Sequence, residues 1–203
     1  MKRTLSIRTV VIWIGTILLP LGGIAVHPHA GLPMVPALPA EQPQAVLSAE
    51  QNAIRLVDAI IQIESNGDPR KVGRHGERGL MQIKSGTWRD MTLRLFGKPV
   101  SFDQAFDPAM NRRVGTAYLA FLQEQIAPRH QEWRADERAL LLAAYNAGPG
   151  RLARSRFDLA RMPIQTQDYV ERASALHDAY LDQLASAFHQ QLLASRATPT
   201  SGI

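Results

Sequence analysis

Ser48-Ala49-Glu50-Gln51-Asn52-Ala53-Ile54-Arg55-Leu56-Val57-Asp58-Ala59-Ile60-Ile61-Gln62-Ile63-Glu64-Ser65-Asn66-Gly67-Asp68-Pro69 reads as one amphipathic helix with both ends marked. Ser48 followed by Gln51 is a capping-box pattern, in which each side chain takes up a backbone N–H that the first turn leaves free. Ile54, Val57, Ile60 and Ile61 recur at helical spacing. Ser65-Asn66-Gly67-Asp68-Pro69 is a dense run of breakers and stops the helix. Glu64 continues the apolar series. It reads either as a carboxylate exposed at a helix end, where most glutamates lie in solvent, or as one turned toward the core. In the second case desolvation and the negative end of the helix dipole both disfavour its charge. A carboxyl kept protonated near neutral pH can donate a proton to a glycosidic oxygen.

Outward from this segment the chain reads as helices. Residues 70–79 form a glycine-rich loop (Gly73, Gly76, Gly79), and a short irregular hairpin fits within 70–83. A second helix is predicted from about Ser85 to Phe96, with Trp88, Met91, Leu95 and Phe96 inward. Asp107-Pro108 is a cap and first-turn pair for a helix carrying Val114, Tyr118, Leu119 and Leu122. Asp136 caps the next, which contains Leu140 to Tyr145 and ends at Asn146-Ala147-Gly148-Pro149-Gly150. Gly148 and Gly150 read there as backbone turns. Thr166 is predicted to cap a last helix through Tyr169, Leu176, Tyr180, Leu184 and Phe188 to about residue 194. No segment alternates convincingly as a strand. The fold class is therefore all-α, a helical bundle.

Lys2, Arg3 and Arg8 precede the uncharged, mostly apolar run Val10–Val26. That order matches a secretory signal with Gly23-Ile24-Ala25 as its small-residue site, or an uncleaved membrane anchor. Residues 1–25 are assigned to this segment. Residues 26–47 hold Pro28, Pro33, Pro36, Pro39 and Pro43 and read as a stiff linker. Residues 48–182 form the candidate catalytic domain, and 183–203 the end of the last helix and a tail. Either reading of the N-terminus places the body in the periplasm or cell envelope.

The net charge of +5 comes largely from that leader. Without residues 1–25 the basic count falls from 23 to 20 against 18 acids, leaving +2. No Lys/Arg run suits nucleic acid. The 203 residues contain no cysteine, which excludes disulfides, thiolate metal sites and a cysteine nucleophile. His75 has no partner at metal-ligand spacing and reads as a surface histidine.

Glu64-Ser65, then Gly79-Leu80-Met81-Gln82-Ile83, then Ala144-Tyr145-Asn146-Ala147-Gly148-Pro149-Gly150, then Tyr169-Val170 form an ordered set. Asp107-Pro108, Asn111, Gly115 and Tyr118-Leu119 lie between. Over about residues 52–175 this series resembles the soluble-type, goose-lysozyme-like lytic transglycosylases. The resemblance implies a lysozyme-like helical fold with a groove for a glycan strand. It also implies cleavage of the β-1,4 bond between N-acetylmuramic acid and N-acetylglucosamine in peptidoglycan. The muramoyl C6 hydroxyl would attack its own C1 to leave a 1,6-anhydro end, with Glu64 as acid and then base. No cofactor or metal is implied, and one carboxylate suffices because no water needs activating.

By the same resemblance Ser65 orients Glu64, Gln82 reaches substrate N-acetyl or hydroxyl groups, and Met81 lines the groove. Tyr145 and Asn146 flank the cleavage point, and Tyr169 lines the same site. The residues alone also allow Met81 as core filling, Asn146 as a helix cap and Tyr169 as a packed aromatic. Two places depart from the family. Gln165-Thr166 stands where Glu-Thr is usual, and Arg74-His75-Gly76-Glu77-Arg78 is more charged than the expected small-residue loop. Two further readings stay open: a water-using lysozyme with Glu77 or Asp68 as base, and a non-catalytic glycan-binding component of an envelope complex. The partners expected are glycan strands and a secretion or conjugation apparatus, for which the chain would be a local wall cutter. It is expected to act as a monomer, with membrane contact only through an uncleaved N-terminal segment.

Overall fold

The computed structural model describes residues 48–197. The signal or anchor segment, the linker and the last residues of the tail lie outside the described residues. Six α-helices follow in order: α1 Ala49–Ser65, α2 Ser85–Phe96, α3 Pro108–Ile126, α4 Glu137–Ala147, α5 Pro149–Arg154 and α6 Ile164–Ala197. Short 3-10 turns at Phe102–Phe106, Ala127–Glu132 and Leu159–Arg161 join them. Among the described residues there is no strand. The loop after α1 carries two isolated antiparallel bridges, Val72 with Arg78 and Arg78 with Ile83, which is the irregular hairpin the glycines suggested. None of the described helices is long and apolar enough to cross a membrane.

The starts of the helices follow from local chemistry. Ser48 and Gln51 close the capping box on α1. Asp107 accepts from the Met110 N–H at 2.7 Å with Pro108 in the first turn of α3. Asp136 accepts from the Ala139 N–H at 2.9 Å and starts α4. Such caps contribute about 1 kcal/mol each. Thr166 does not cap α6. The helix begins at Ile164, directly after Pro163, and Thr166 sits buried in its first turn. Gly150 is likewise not a turn. Pro149 opens the short α5 and Gly150 lies within it, whereas Gly148, at φ 86°, makes the break.

α6 packs along both α1 and α4, and α3 packs against α2 and α4. Leu56, Val57 and Ile60 of α1, Val114, Leu119 and Leu122 of α3, and Leu140 and Leu142 of α4 meet in the core with Trp88 and Met91. Each such side chain contributes about 1.5–3 kcal/mol on burial. Ile54, although in phase, is 43% exposed. It lies near the N-terminal end of α1. Where α1, α4 and α6 converge, His177 is buried. Its Nδ1 lies 3.1 Å from an Arg138 nitrogen, and its Nε2 lies 3.1 Å from the Asn52 carbonyl. Arginine can only donate. Nδ1 therefore accepts, Nε2–H donates, and the imidazole is neutral.

Candidate functional site

Glu64 lies in the last turn of α1, one residue before the helix stops. Asn66 adopts a left-handed conformation at φ 55°, and its N–H returns to the Gln62 carbonyl. The Ser65 hydroxyl donates to the Ile61 carbonyl at 3.1 Å and accepts from the Gly67 N–H at 3.2 Å. Ser65 therefore fixes the turn that follows the acid, and its bonds run to backbone rather than to the Glu64 carboxyl. Lys71 reaches back to donate to the Glu64 carbonyl at 2.6 Å.

The loop from Lys71 to Ile83 is tied down by amide bonds. Asn111 of α3, fully buried, donates to the Arg78 and Ala105 carbonyls at 3.0 and 2.8 Å and accepts from the Met81 N–H at 2.8 Å. Gly79, at φ 78°, fits beneath because any Cβ there would strike Ala105 and Asn111. Gln82, itself left-handed at φ 47°, turns its Nε2 onto the Gly79 and Lys71 carbonyls at 2.8 and 3.1 Å. Tyr145, on α4, donates its hydroxyl to the Met81 carbonyl at 2.7 Å and packs against Tyr118 with ring centroids 5.6 Å apart.

These elements enclose a cleft of about 460 Å³, within the range of small-ligand sites. Glu64, Tyr145 and Asn146 of the helices line it together with Lys71, Arg74, His75, Glu77 and Gln82 of the loop. Thr87 and Tyr118 belong also to an adjoining hollow along α2 and α3 that includes Asp90, Met91, Arg94 and Phe121. The cleft therefore adjoins a second hollow at these two residues.

Burial pushes the Glu64 carboxyl up to about 7 from its ordinary 4.5. The Tyr169 hydroxyl, Lys71 and Arg172 pull it down, and the charge of Glu77 pushes it further up. The Tyr169 hydroxyl is buried and forms no hydrogen bond of ordinary geometry. It interacts with the Glu64 carboxyl short of a well-formed bond. Burial and the charge of Glu64 hold the phenols of Tyr145 and Tyr169 well above their usual range, so both stay protonated donors. Burial also opposes ionisation of Glu77, but hydrogen bonds from backbone N–H groups and the charge of Lys84 outweigh it and bring this carboxyl below its ordinary value. The cleft thus contains one carboxyl poised to be an acid near neutrality and one held as an anion.

Of the predicted site residues, Glu64, Gln82, Tyr145 and Asn146 face the cleft. Tyr169 lies behind the carboxyl. Ser65 is buried. Met81 is fully buried and does not line the groove: its sulfur packs on Gly115, where a Cβ would collide with it. Its contribution is its backbone, which holds Asn111 and Tyr145. Asp68 accepts from the Arg70 N–H in an exposed turn and is not part of the cleft lining. Lys71 and Lys84 line the cleft and Asn111 braces it, and none was predicted to do so. Asn111 stood in the family series, but lysines give no local signal of a site.

A family model, the transglycosylase SLT domain, matches residues 43–160. The soluble lytic murein transglycosylase of Escherichia coli K12 is 34% identical over 135 residues, 60% of this chain and 19% of that protein. The endo-type membrane-bound lytic murein transglycosylase A of Cronobacter sakazakii is 36% identical over 104 residues, 50% of each chain. The membrane-bound lytic murein transglycosylase C of Yersinia enterocolitica is 32% identical over 157 residues, 75% of this chain and 40% of that one. Among solved structures, an inactive glutamate-to-glutamine mutant of lytic transglycosylase Slt from Pseudomonas aeruginosa superposes with TM-score 0.54 at 28% identity, over 64% of this chain and 22% of that one. The 70 kDa soluble lytic transglycosylase of E. coli superposes with TM-score 0.53 at 30% identity, with the same coverage. The all-α, lysozyme-like class is that of these structures. The chain spans between about a fifth and a half of the length of these relatives.

Proposed function

Because the chain belongs to the transglycosylase SLT family, we propose that it is a lytic transglycosylase that cuts the N-acetylmuramic acid–N-acetylglucosamine bond of peptidoglycan. The observation that carries this reading is Glu64, a carboxyl raised to about 7 by burial at the wall of the cleft. In its protonated form Glu64 donates to the glycosidic oxygen as the bond from that oxygen to the muramoyl C1 breaks. The oxygen departs as a hydroxyl of the N-acetylglucosamine. Glu64, now a carboxylate, takes the proton from the muramoyl C6 hydroxyl as that oxygen bonds to C1. The ring closes to the 1,6-anhydro form, Glu64 recovers its proton and no water is consumed. A pKa near neutrality suits a group that must serve in both states.

Tyr145 and Asn146 are proposed to wall the cleaved sugar, and Tyr169 to steady the carboxyl from behind. Gln82 acts with its carbonyl end, since its amide nitrogen is engaged by the loop. Ser65 acts through the turn and Met81 through its backbone.

The test is digestion of purified peptidoglycan by wild type and Glu64→Gln, with products read by mass spectrometry. Wild type should release anhydro-muramoyl ends, and the variant should lose at least about a hundredfold in rate. Reducing ends from the wild type would replace this reading with hydrolysis, in which ionised Glu77 activates water. Activity unchanged in Glu64→Gln would remove Glu64 from the chemistry.

The basic and apolar N-terminal sequence supports action in the cell envelope after export. A local role beside a secretion or conjugation apparatus is read by deletion. Lost assembly of such an apparatus with intact bulk wall turnover supports it, and normal assembly removes it.

A further inference from the structure

The charged loop that departs from the family pattern is a built hairpin rather than a loose surface turn. Val72 bridges Arg78. The Gly73 N–H donates to the Glu77 carbonyl at 2.8 Å and the Gly76 N–H to the Gly73 carbonyl at 3.0 Å. The Glu77 carboxylate, only 14% exposed, turns inward to accept from the His75 N–H at 2.9 Å. It packs so closely on Gly73, as does Gln82, that a Cβ there would displace both side chains. The hairpin presents its tip, Arg74 and His75, to the same cleft as Glu64.

The cations of the cleft are not equivalent. Lys71 is engaged by the Glu64 carbonyl at 2.6 Å. Lys84 lies 3.7 Å from Glu77. Arg74 forms no ion pair or side-chain hydrogen bond among the described residues, and it is exposed. A guanidinium is always charged and presents parallel donors that match a carboxylate. Here it lines a cleft whose acid is proposed to act on sugars. The sugars themselves offer neutral hydroxyl and acetamido groups. The anionic groups of a peptidoglycan strand are on the lactyl branch of the muramoyl unit: the carboxylates of the peptide stem, or the lactyl carboxylate itself where the stem has been removed.

We propose that Arg74 binds a carboxylate on the muramoyl branch of the substrate, so that the hairpin selects strands by what hangs from the sugar while Glu64 cuts the sugar bond. This rests on the peptidoglycan reading above.

The experiment compares wild type, Arg74→Gln, Arg74→Lys and, as a control for net charge, Arg196→Gln at the far end of α6. Two substrates are used: insoluble strands bearing stems, and strands stripped by an amidase, whose lactyl carboxylates are free. Cleavage is followed by release of soluble fragments. Binding is followed by pelleting in a Glu64→Gln background, which reports whether or not any bond is cut. Arg74→Gln should bind and cleave roughly fivefold less well, the scale of an exposed ion pair. Arg74→Lys, which keeps the charge and loses the paired donors, should recover part of the loss, and high salt should erase the difference by screening. A loss confined to stemmed strands assigns the stem carboxylates, one confined to stripped strands assigns the lactyl carboxylate, and both with recovery by lysine assign a position shared by the two. Equal binding by wild type and Arg74→Gln on both substrates overturns the proposal. So does a loss that lysine or salt does not alter, or one that Arg196→Gln reproduces. A wild type that binds strands in an Arg74-dependent way but releases no anhydro product would instead overturn the catalytic reading alone.

Discussion

The hydroxyl of Tyr145 donates to the carbonyl of Met81 at 2.7 Å across 64 residues of chain. The aromatic residue of α4 that borders the acid is thereby pinned to the backbone of the loop opposite. Tyr145→Phe keeps the ring and leaves the Met81 carbonyl without this donor. Such a bond contributes about 1 kcal/mol. Chemical denaturation should show a loss of about that size, and turnover of peptidoglycan should fall more than tenfold because two walls of the cleft are no longer registered.

Glu77 and Tyr169 push the Glu64 carboxyl in opposite directions, with Lys71 and Arg172 as the cations acting on it. Removing the Glu77 charge lowers the carboxyl's pKa, and removing the Tyr169 hydroxyl raises it. In the mechanism proposed above cleavage requires protonated Glu64, so the alkaline limb of the rate profile should fall near pH 7 in the wild type. Glu77→Gln should move that limb to lower pH and Tyr169→Phe to higher pH. A common shift of both variants in one direction would contradict this electrostatic account.

The same burial has a thermodynamic consequence of definite sign. The Glu64 carboxyl goes from an ordinary 4.5 to about 7 on folding. Its contribution is therefore most favourable below pH 4.5 and is lost as pH rises through 7, when a charge must be held in a desolvated place. Glu64→Gln removes the cost. Thermal unfolding should find the variant more stable than wild type by about 1–3 kcal/mol at pH 8, and nearly equal to it at pH 4.

His177 gives a dependence of the opposite kind. Burial lowers its pKa below 6.5, with Arg138 adding to the effect, while its bond to Asn52 and the charge of Asp178 oppose it. The unfolded chain therefore takes up this proton before the folded one does. Stability should decline as pH falls below about 6.5. The decline should be shallower in His177→Gln, whose amide can still donate to the Asn52 carbonyl.

Asn111 makes three hydrogen bonds to the backbone of the loop and of the Phe102–Phe106 turn. Asn111→Ala removes a partner from the Met81 N–H and from the Ala105 carbonyl, while the Arg78 carbonyl keeps the Ile83 N–H at 3.2 Å. A loss of roughly 2–4 kcal/mol is expected, with hydrogen exchange at Arg78 to Gln82 accelerating more than in the α1–α6 core.

Much of this architecture was legible in the sequence because helix starts are local events. Ser48, Asp107 and Asp136 each act within three residues of themselves, and all three do what their identity suggests. Thr166 misleads because Pro163 is the stronger signal nearby, and because its hydroxyl is engaged by Asn146 at 3.0 Å across the fold. Met81 misleads for a similar reason. That its side chain would meet Gly115 rather than the groove depends on how α3 packs, which no local pattern states. The place of Glu64 at the end of the apolar face of α1 is legible from its phase, and the structure sets it in the cleft wall. The roles of Lys71 and Asn111 follow only from long-range bonds. The short α5 and the three 3-10 turns are too brief to show a period.

The bonds that hold the loop in place reach its tip only at the His75 N–H. Asn111, Gln82, Glu77 and Tyr145 grip residues 71, 73, 75, 78, 79 and 81 through backbone groups, and none of them reads the side chains of Arg74 or His75. Arg74 can therefore be replaced without removing any of these bonds, whereas the charge of His75 acts on Glu77 and through it on Glu64. Such a layout separates what holds the carboxyl in its place from what a bound molecule would meet first at the rim.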